Sequence, residues 1–176
     1  KRAHVLVAGL GGVGAYAAEQ LCRAGIGEMT IIDGDVVEMT NKNRQLPALD
    51  SSLGKPKAEL MAARFRDINP EIKLHIMNDF IRDEQMVEVL QHAEYDYIVD
   101  AIDTLAPKIF LIYHSLRLNL PVVSSMGSGG KMDPSKIEVA DISKSYNCSL
   151  ARMLRKRLHK LGVYKGVKVV FFSEFI

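Results

Sequence analysis

The chain has 176 residues, of which 48% are hydrophobic and 25% charged, a composition typical of one globular domain with a sizeable core. No apolar run approaches the roughly 20 residues that a membrane helix requires, and the first run, His4–Ala8, ends in glycines too early for a signal peptide. Two cysteines, Cys22 and Cys148, are too few for a disulfide framework or a zinc site, so we expect a reducing compartment, the cytoplasm.

The net charge of +2 conceals two regions of opposite sign. Between Ile142 and Ser173 there are 8 Lys or Arg and no Asp or Glu, which leaves 15 basic and 21 acidic residues elsewhere. We therefore divide the chain into residues 1–141 and a basic C-terminal extension of the same domain over residues 142–176. The chain lacks an initiator Met and stops after an apolar stretch, Val169–Phe172, so we interpret it as incomplete at both ends.

Short apolar segments rich in β-branched residues alternate with segments of helical period. The predicted strands are His4–Ala8, Met29–Asp33, Leu74–Asn78, Tyr97–Ala101 and Pro121–Ser125. The predicted helices are Gly12–Ala24, Lys57–Asn69, Asp83–His92 and Ala106–Leu118. This order predicts an α/β fold: a Rossmann-like, doubly wound, mainly parallel sheet with helices on both faces. The polar connection over residues 34–56 is far longer than an ordinary βα loop, which is typical of a functional segment.

A glycine-rich turn follows the first predicted strand and opens the first predicted helix. Gly9, Gly11 and Gly14 have the G-x-G-x-x-G spacing, which allows a tight turn and brings phosphates close to free backbone N–H groups. Asp33 ends the second strand, 19 residues after Gly14, where an acid can accept hydrogen bonds from ribose. These residues predict a nucleotide site and leave two ligands open: NAD, as in a dehydrogenase, or ATP.

Cations and acids beyond the turn favour ATP. Arg44 lies in the polar connection and Lys57 follows it by 13 residues, so two cations are available for a triphosphate. Asp100 and Asp103 come at the carboxyl end of the fourth predicted strand, where ligands bind in open α/β sheets. A carboxylate at that edge can bind Mg²⁺.

Together these motifs resemble the ThiF/MoeB/HesA superfamily, the relatives of the ubiquitin-activating enzymes, which adenylate a carboxylate with MgATP. Five motifs carry the resemblance in the expected order: Gly9–Gly14, Asp33-x-Asp35, Asn41-x-x-Arg44-Gln45, Lys55-Pro56-Lys57 and Asp100-Ala101-Ile102-Asp103. The block from Gly127 to Lys144 is most similar to the branch of tRNA threonylcarbamoyladenosine dehydratases. Sulfur-carrier activating enzymes of the ThiF and MoeB type resemble this block less well, and their usual C-x-x-C zinc ligands are absent from these residues.

The resemblance implies an ATP-binding adenylation domain over residues 1–141 and a role for each matching residue. The implied ATP-binding residues are Gly9, Gly11, Gly12, Gly14, Asp33, Asn41, Arg44, Lys57 and Asp103. Among them Arg44, Lys57 and Asp103 are the implied catalytic residues: the two cations bind the triphosphate and Asp103 binds Mg²⁺. Asp100 is interpreted as structural, and neither Asp35 nor Gln45 receives a chemical role.

The implied activity is that of an ATP-dependent dehydratase, which adenylates the carboxylate of threonylcarbamoyladenosine in tRNA and cyclises it. The alternative is an adenylyltransferase that activates a sulfur-carrier protein and so takes a protein substrate in place of RNA. The resemblance also implies a homodimer, suggests a sulfur-transfer protein as a further partner, and gives no reason to expect a membrane partner.

The basic extension contains an amphipathic segment. Leu150, Leu154, Leu158 and Leu161 recur at helical spacing, and the cations of the other face are Arg152, Arg155, Lys156, Arg157 and Lys160. This pattern fits contact with the tRNA backbone, and equally a solvated face on a helix that packs in a dimer. The run Ser145–Ser149 departs from the usual sequence of the branch, so no site is placed there. The five histidines show no ligand spacing and are interpreted as non-catalytic.

Overall fold

The computed structural model describes residues 3–175 and places every strand among them in one sheet. The strands are β1 His4–Ala8, β2 Glu28–Ile32, β3 Lys73–Met77, β4 Tyr97–Asp100, β5 Val122–Ser125, β6 Ile137–Asp141 and β7 Lys168–Phe172. The helices of more than one turn are α1 Gly14–Arg23, α2 Lys57–Ile68, α3 Asp83–Gln91, α4 Leu105–Arg117 and α5 Ser149–Lys160.

The strand order is β3-β2-β1-β4-β5-β7-β6, and all pairs are parallel except β6 with β7. The order reverses direction between β1 and β4, which creates the crevice where open α/β sheets bind ligands. The structure therefore confirms the predicted doubly wound α/β fold.

Each face of the sheet is covered by its own helices, which is why the central strands are apolar at successive residues. Val5 and Val7 of β1 join α1 and α2 in one core cluster, whereas Leu6 and Ala8 join α3, α4 and α5 in the other. Phe65 of α2 is fully buried in the first cluster. The alternation of side chains along β1 thus ties the two layers of helices to a single strand.

Two strands were not predicted. β6 is an edge strand whose exposed Ile137 and Val139 alternate with a polar residue, and β7 lies within the basic extension. β7 fits between β5 and β6, so the sheet continues across residue 141, where the sequence suggested the start of an extension. β6 pairs antiparallel with β7 at the edge of the sheet, and no helix follows β7 within the described residues, so the pattern of parallel βα units that predicts the other strands does not reveal these two.

The long connection between β2 and α2 is closed at its base. The backbone N–H of Val37 donates to the Lys55 carbonyl at 2.9 Å, and that of Lys57 donates to the Asp35 carbonyl at 3.0 Å. Between these points the chain makes two single-turn 3₁₀ helices, Met39–Asn41 and Asp50–Ser52. The two ends of the connection therefore return to the same place beside the sheet.

A buried ion pair links β4 to α4. Lys108 and Asp100 are both fully buried, and Lys108 Nζ lies 2.9 Å from Asp100 Oδ2. Lys108 Nζ also donates to the Ile102 carbonyl at 2.7 Å, and Ser124 Oγ on β5 donates to Asp100 Oδ2. These bonds satisfy both charges and hold the turn that follows β4.

No helix within residues 3–175 combines the length and the apolar composition needed to cross a bilayer.

We expect Lys108→Met to lower the free energy of unfolding by about 3–5 kcal/mol, because it leaves the Asp100 carboxylate buried without its counter-ion. Urea denaturation measures the change. Lys156→Met, on the exposed face of α5, is the control, and its effect should stay within about 0.5 kcal/mol. The double variant Asp100→Asn/Lys108→Met should recover part of the loss, and a single variant as stable as the control would contradict this account.

Candidate active site

A cavity of about 200 Å³ lies at the carboxyl ends of β1, β2 and β4, at the point where the strand order reverses. The glycine turn forms one wall, the start of the long connection forms the second, and the turn after β4 forms the third. Of the predicted site residues, this cavity brings together Gly9, Gly11, Asp33, Lys57 and Asp103.

Three glycines of the turn, Gly9, Gly11 and Gly14, differ in the reason for which a glycine is needed. Gly9 has φ +88°, and a Cβ there would lie 2.7 Å from the Ala101 carbonyl oxygen. A Cβ on Gly14 would overlap the Gly9 carbonyl. By contrast, a Cβ on Gly11 would lie 3.6 Å from the nearest atom, an ordinary contact. The protein's own packing thus requires Gly9 and Gly14, whereas Gly11 leaves open the surface that a phosphate would approach.

Asp33 joins the glycine turn to the end of β2. Its Oδ2 accepts from the Leu10 backbone N–H at 2.6 Å, and its Oδ1 accepts from the Asp35 backbone N–H at 2.8 Å. Burial raises the pKa of Asp33, while these two hydrogen bonds and the nearby Lys57 oppose the rise. The residue predicted for the ribose therefore also stabilises the turn.

Lys57 is buried at the start of α2, with its side chain 4% exposed. Its Nζ lies 3.1 Å from Asp35 Oδ2, and both residues line the cavity. The sequence analysis assigned Asp35 no role. Its position two residues after Asp33 was the one sequence feature that could have indicated a place in the site. The structure shows that it holds the Lys57 ammonium against the cavity wall.

Gln45 is a second residue of the cavity whose role the sequence did not reveal. Its Oε1 is buried and has no hydrogen-bond partner within the described part of the chain, and its Nε2 lies nearest to the position of a Gly11 Cβ. An unpaired buried amide oxygen is costly, so this side chain is suited to a hydrogen bond with a bound ligand.

Arg44 and Asn41 lie beside the glycine turn and outside the cavity lining. The Arg44 Cγ lies 3.4 Å from the position of a Gly12 Cβ, and its Nη1 donates to the Thr40 carbonyl at 3.0 Å. Asn41 is buried, and its Oδ1 accepts from the Glu38 backbone N–H at 3.0 Å. The sequence predicted that Arg44 and Asn41 bind the same ligand as Lys57. In the structure Arg44 lies beside Gly12 instead, and its guanidinium is hydrogen-bonded to the Thr40 carbonyl of the same loop.

Asp103 lines the cavity and is exposed, and it has no hydrogen-bond or ion-pair partner among residues 3–175. A free carboxylate at this edge fits a hard cation such as Mg²⁺. Asp100, three residues earlier, is fully buried and paired with Lys108, so the structural interpretation of Asp100 is confirmed.

The remaining wall of the cavity is apolar. It includes Phe80, Ile81 and Met86, which follow β3 along the chain. The Phe80 ring is close to Gly34, where a Cβ would lie 2.8 Å from its carbons. Such a surface can take the flat face of a base, and the only sequence signal for it was an aromatic residue directly after a strand.

The basic helix α5 is anchored by its apolar face. Leu154 and Leu158 are buried in the same core cluster as α4, so they are not available to a second copy of the chain. The cations differ among themselves. Arg155 is half-buried, and its Nη1 donates to the Ser145 carbonyl at 2.7 Å and to the Ile142 carbonyl at 3.3 Å. It holds the chain before α5 in place, and its predicted contact with tRNA stays a prediction.

The other four cations of α5 are exposed: Arg152, Lys156, Arg157 and Lys160. Arg152 lines a second, open cavity of about 730 Å³, which Lys131 also lines. Cys148 is buried and its Sγ accepts from the Ala151 backbone N–H in the first turn of α5, and Cys22 is buried with its Sγ 3.3 Å from the Phe65 carbonyl.

Comparison with known proteins agrees with this geometry. The ThiF family matches residues 1–172 of the chain. The tRNA threonylcarbamoyladenosine dehydratase of Bacillus subtilis is 43% identical over 99% of this chain and 68% of its own length. The crystal structure of the Escherichia coli tRNA N6-threonylcarbamoyladenosine dehydratase in complex with ATP has a TM-score of 0.95, is 43% identical, and is matched over 99% of this chain and 74% of that chain.

A relative of the alternative class is less similar. The molybdopterin-synthase adenylyltransferase of Escherichia coli is 33% identical over 70% of this chain and 49% of its own length. The chain spans about two thirds of the length of the dehydratases that it matches.

The glycine analysis predicts opposite effects for two alanine substitutions. Gly11→Ala should leave the thermal midpoint unchanged and weaken ATP binding by about tenfold or more, because its Cβ has room in the protein but none beside a phosphate. Gly14→Ala should destabilise the fold by about 1–3 kcal/mol, since its Cβ overlaps the Gly9 carbonyl. Calorimetry measures both quantities, with Gly129→Ala as the control. Unchanged ATP affinity in Gly11→Ala would show that phosphates do not lie over this residue.

Proposed function

Since the chain belongs to the ThiF family, we propose that it is an ATP-dependent tRNA threonylcarbamoyladenosine dehydratase. It adenylates the carboxylate of threonylcarbamoyladenosine in tRNA and then cyclises the activated group. The observation that carries this proposal is similarity to such dehydratases over 99% of the chain, which includes a relative crystallised with ATP.

The cavity has the parts that an adenosine phosphate requires. The apolar wall around Phe80 suits the adenine, Asp33 lies where the ribose hydroxyls would reach, and Gly11 leaves room for the phosphates. Lys57 is the buried cation on the phosphate side. This division of the cavity supports ATP over NAD, because a dinucleotide site has no need of a buried lysine at its phosphates.

In the first step a carboxylate oxygen of the threonyl group attacks the α-phosphorus of ATP. The bond between the α-phosphorus and its bridging oxygen breaks, and pyrophosphate leaves. The Lys57 ammonium stabilises the charge that develops on the pyrophosphate, and Asp35 keeps that ammonium in position. The protein therefore contributes position and charge, and no covalent intermediate with a protein side chain is required.

In the second step the carbamoyl part of the same substituent attacks the acyl adenylate. The acyl carbon bonds to the ring-closing atom, its bond to the AMP oxygen breaks, and a proton leaves to solvent. The sum of the two steps is loss of one water from the nucleoside, with ATP converted to AMP and pyrophosphate. Both reacting groups belong to one substituent, so the closure is favoured by proximity.

We propose Asp103 as the residue that binds Mg²⁺, because its free carboxylate lines the cavity. When bound, the ion would neutralise phosphate charge. Arg44, whose side chain lies beside Gly12, is proposed to bind the triphosphate. Its guanidinium would then give up its hydrogen bond to the Thr40 carbonyl and donate to a phosphate oxygen. Asn41 then acts by shaping that loop.

The alternative is activation of a sulfur-carrier protein. It is supported by the more distant adenylyltransferase relative, which matches 70% of the chain where the dehydratases match 99%. A comparison of AMP formation with threonylcarbamoyladenosine-containing tRNA against a carrier protein ending in Gly-Gly separates the two activities.

We also propose that tRNA contacts the exposed cations of α5, namely Arg152, Lys156, Arg157 and Lys160, which belong to a stretch without acidic residues. The superfamily resemblance further supports a homodimer, a cytoplasmic location and a sulfur-transfer protein as a partner. Light scattering and a pull-down with such a protein test the two associations.

The proposed chemistry predicts that Lys57→Ala lowers tRNA-dependent AMP formation by about 100-fold or more, since one pre-positioned charge is lost. Arg44→Ala should lower it as well. Lys55→Ala and Lys42→Ala are the matched controls, because both lysines are exposed neighbours outside the cavity lining. AMP formation at the control rate in Lys57→Ala would rule out its assigned role.

The proposed tRNA surface predicts a salt effect. Lys156→Glu should weaken tRNA binding and reduce the slope of log affinity against log salt concentration by about 1, because one phosphate contact is lost. Arg66→Glu makes the same change of charge on α2, across the sheet from α5, and should leave the slope unaltered. Equal slopes for the wild type and Lys156→Glu would remove α5 from the tRNA surface.

A further inference from the structure

Three side chains that can bind metals meet at the amino ends of the first three strands, at the opposite end of the sheet from the nucleotide cavity. His4 begins β1, Glu28 begins β2 and His75 lies in β3. In the parallel register His4 is paired with Glu28, and His75 with Thr30, two residues further along β2. The three side chains therefore project from the same face of the sheet.

The geometry of these groups is close to that of a zinc site. One nitrogen of each imidazole and one carboxylate oxygen all lie within 4.8 Å of one another. Glu28 Oε1 is 3.6 Å from His4 Nδ1 and 2.7 Å from His75 Nε2. Two ligand atoms of a tetrahedral zinc ion lie roughly 3.3–3.6 Å apart, so the first distance fits and the second must widen by less than about 1 Å.

We propose that His4, Glu28 and His75 bind one Zn²⁺ ion, with water in the fourth position. Two imidazoles and one carboxylate are a ligand set that zinc accepts when one position stays open. The site is independent of the proposed activity and would link the amino ends of β1, β2 and β3.

Groups around His4 fix its ring in the orientation that a ligand needs. His4 Nε2 lies 2.9 Å from Thr30 Oγ1, and when Nε2–H donates to this hydroxyl, the free lone pair of Nδ1 faces Glu28. The ring is 5% exposed, and its centre lies 4.7 Å from that of Tyr95. Asp96 adds negative charge close by, where its Oδ2 accepts from the His4 backbone N–H at 2.8 Å.

One cation competes for the same carboxylate. Lys73 Nζ lies 2.9 Å from Glu28 Oε1, and its side chain is 66% exposed. It can move into solvent when a metal ion takes its place, because little packing holds it. Lys73 therefore weakens metal binding without preventing it. A variant that lacks the Lys73 ammonium should bind the ion more tightly.

The test uses the whole chain without a histidine tag, after treatment with a chelator. Zn²⁺ is titrated by calorimetry, and Co²⁺ replaces it for visible absorption, which reports tetrahedral coordination. The wild type should bind one ion per chain. His75→Ala and Glu28→Gln should each weaken binding by about 100-fold or more, since a ligand is lost. His4 is left intact because it is buried at the start of β1 and its replacement would disturb the packing of that strand.

Two further variants make the result specific. Lys73→Ala should bind Zn²⁺ about two- to fivefold more tightly, the range expected from removing an exposed ion pair. His114→Ala is the matched control: its ring lies 4.0 Å from Asp83 with no third ligand grouped beside it in the described structure, so the affinity should not change. Zn²⁺ should also raise the thermal midpoint of the wild type but not that of His75→Ala.

Wild-type affinity in His75→Ala, or Co²⁺ absorption without a tetrahedral spectrum, would overturn the zinc site. AMP formation is measured on the same proteins, and His75→Ala should retain the wild-type rate because the cluster lies at the far end of the sheet. Loss of AMP formation in every protein would count against the proposed activity and leave the zinc measurements standing.

Discussion

The Asp33 carboxylate is the interaction on which the nucleotide cavity depends. Its two oxygens accept backbone N–H groups of Leu10 and Asp35, so a single side chain joins the glycine turn to the start of the long connection. Asp35 in turn holds Lys57 at the start of α2. Three segments that are distant in sequence thereby keep a common geometry, and the cation is already in place before a ligand arrives.

A second buried carboxylate performs the corresponding task on the opposite wall. Asp100 is paired with Lys108 and bonded to Ser124, and Lys108 also binds the carbonyl of Ile102. The turn that carries Asp103 is therefore held by α4 and β5. In both walls a buried carboxylate determines where a cavity-lining group stands, and the energetic cost of burying it is offset by backbone hydrogen bonds at Asp33 and by the ion pair at Asp100.

The two ends of the sheet have different chemistry for a simple reason. At the carboxyl end of β1 the glycine turn enters the amino end of α1, and the backbone N–H groups of a helix start suit anions. At the amino ends, the imidazoles of His4 and His75 and the Glu28 carboxylate lie on adjacent strands, and such a set of groups suits a cation. The buried residues of the strands separate the proposed zinc site from the nucleotide cavity.

The sequence by itself determined the doubly wound fold and the glycine turn, because both rest on local patterns: β-branched runs, helical periods and glycines at fixed spacing. It also indicated Asp33 and Lys57, which stand at predicted strand and helix ends. The sequence did not show which residues far apart along the chain lie close together in the fold. The partner of Lys57, the apolar wall at Phe80 and the place of β7 inside the sheet depend on which strands become neighbours. Only the tertiary structure decided these, because side chains far apart along the chain interact once the sheet brings them together.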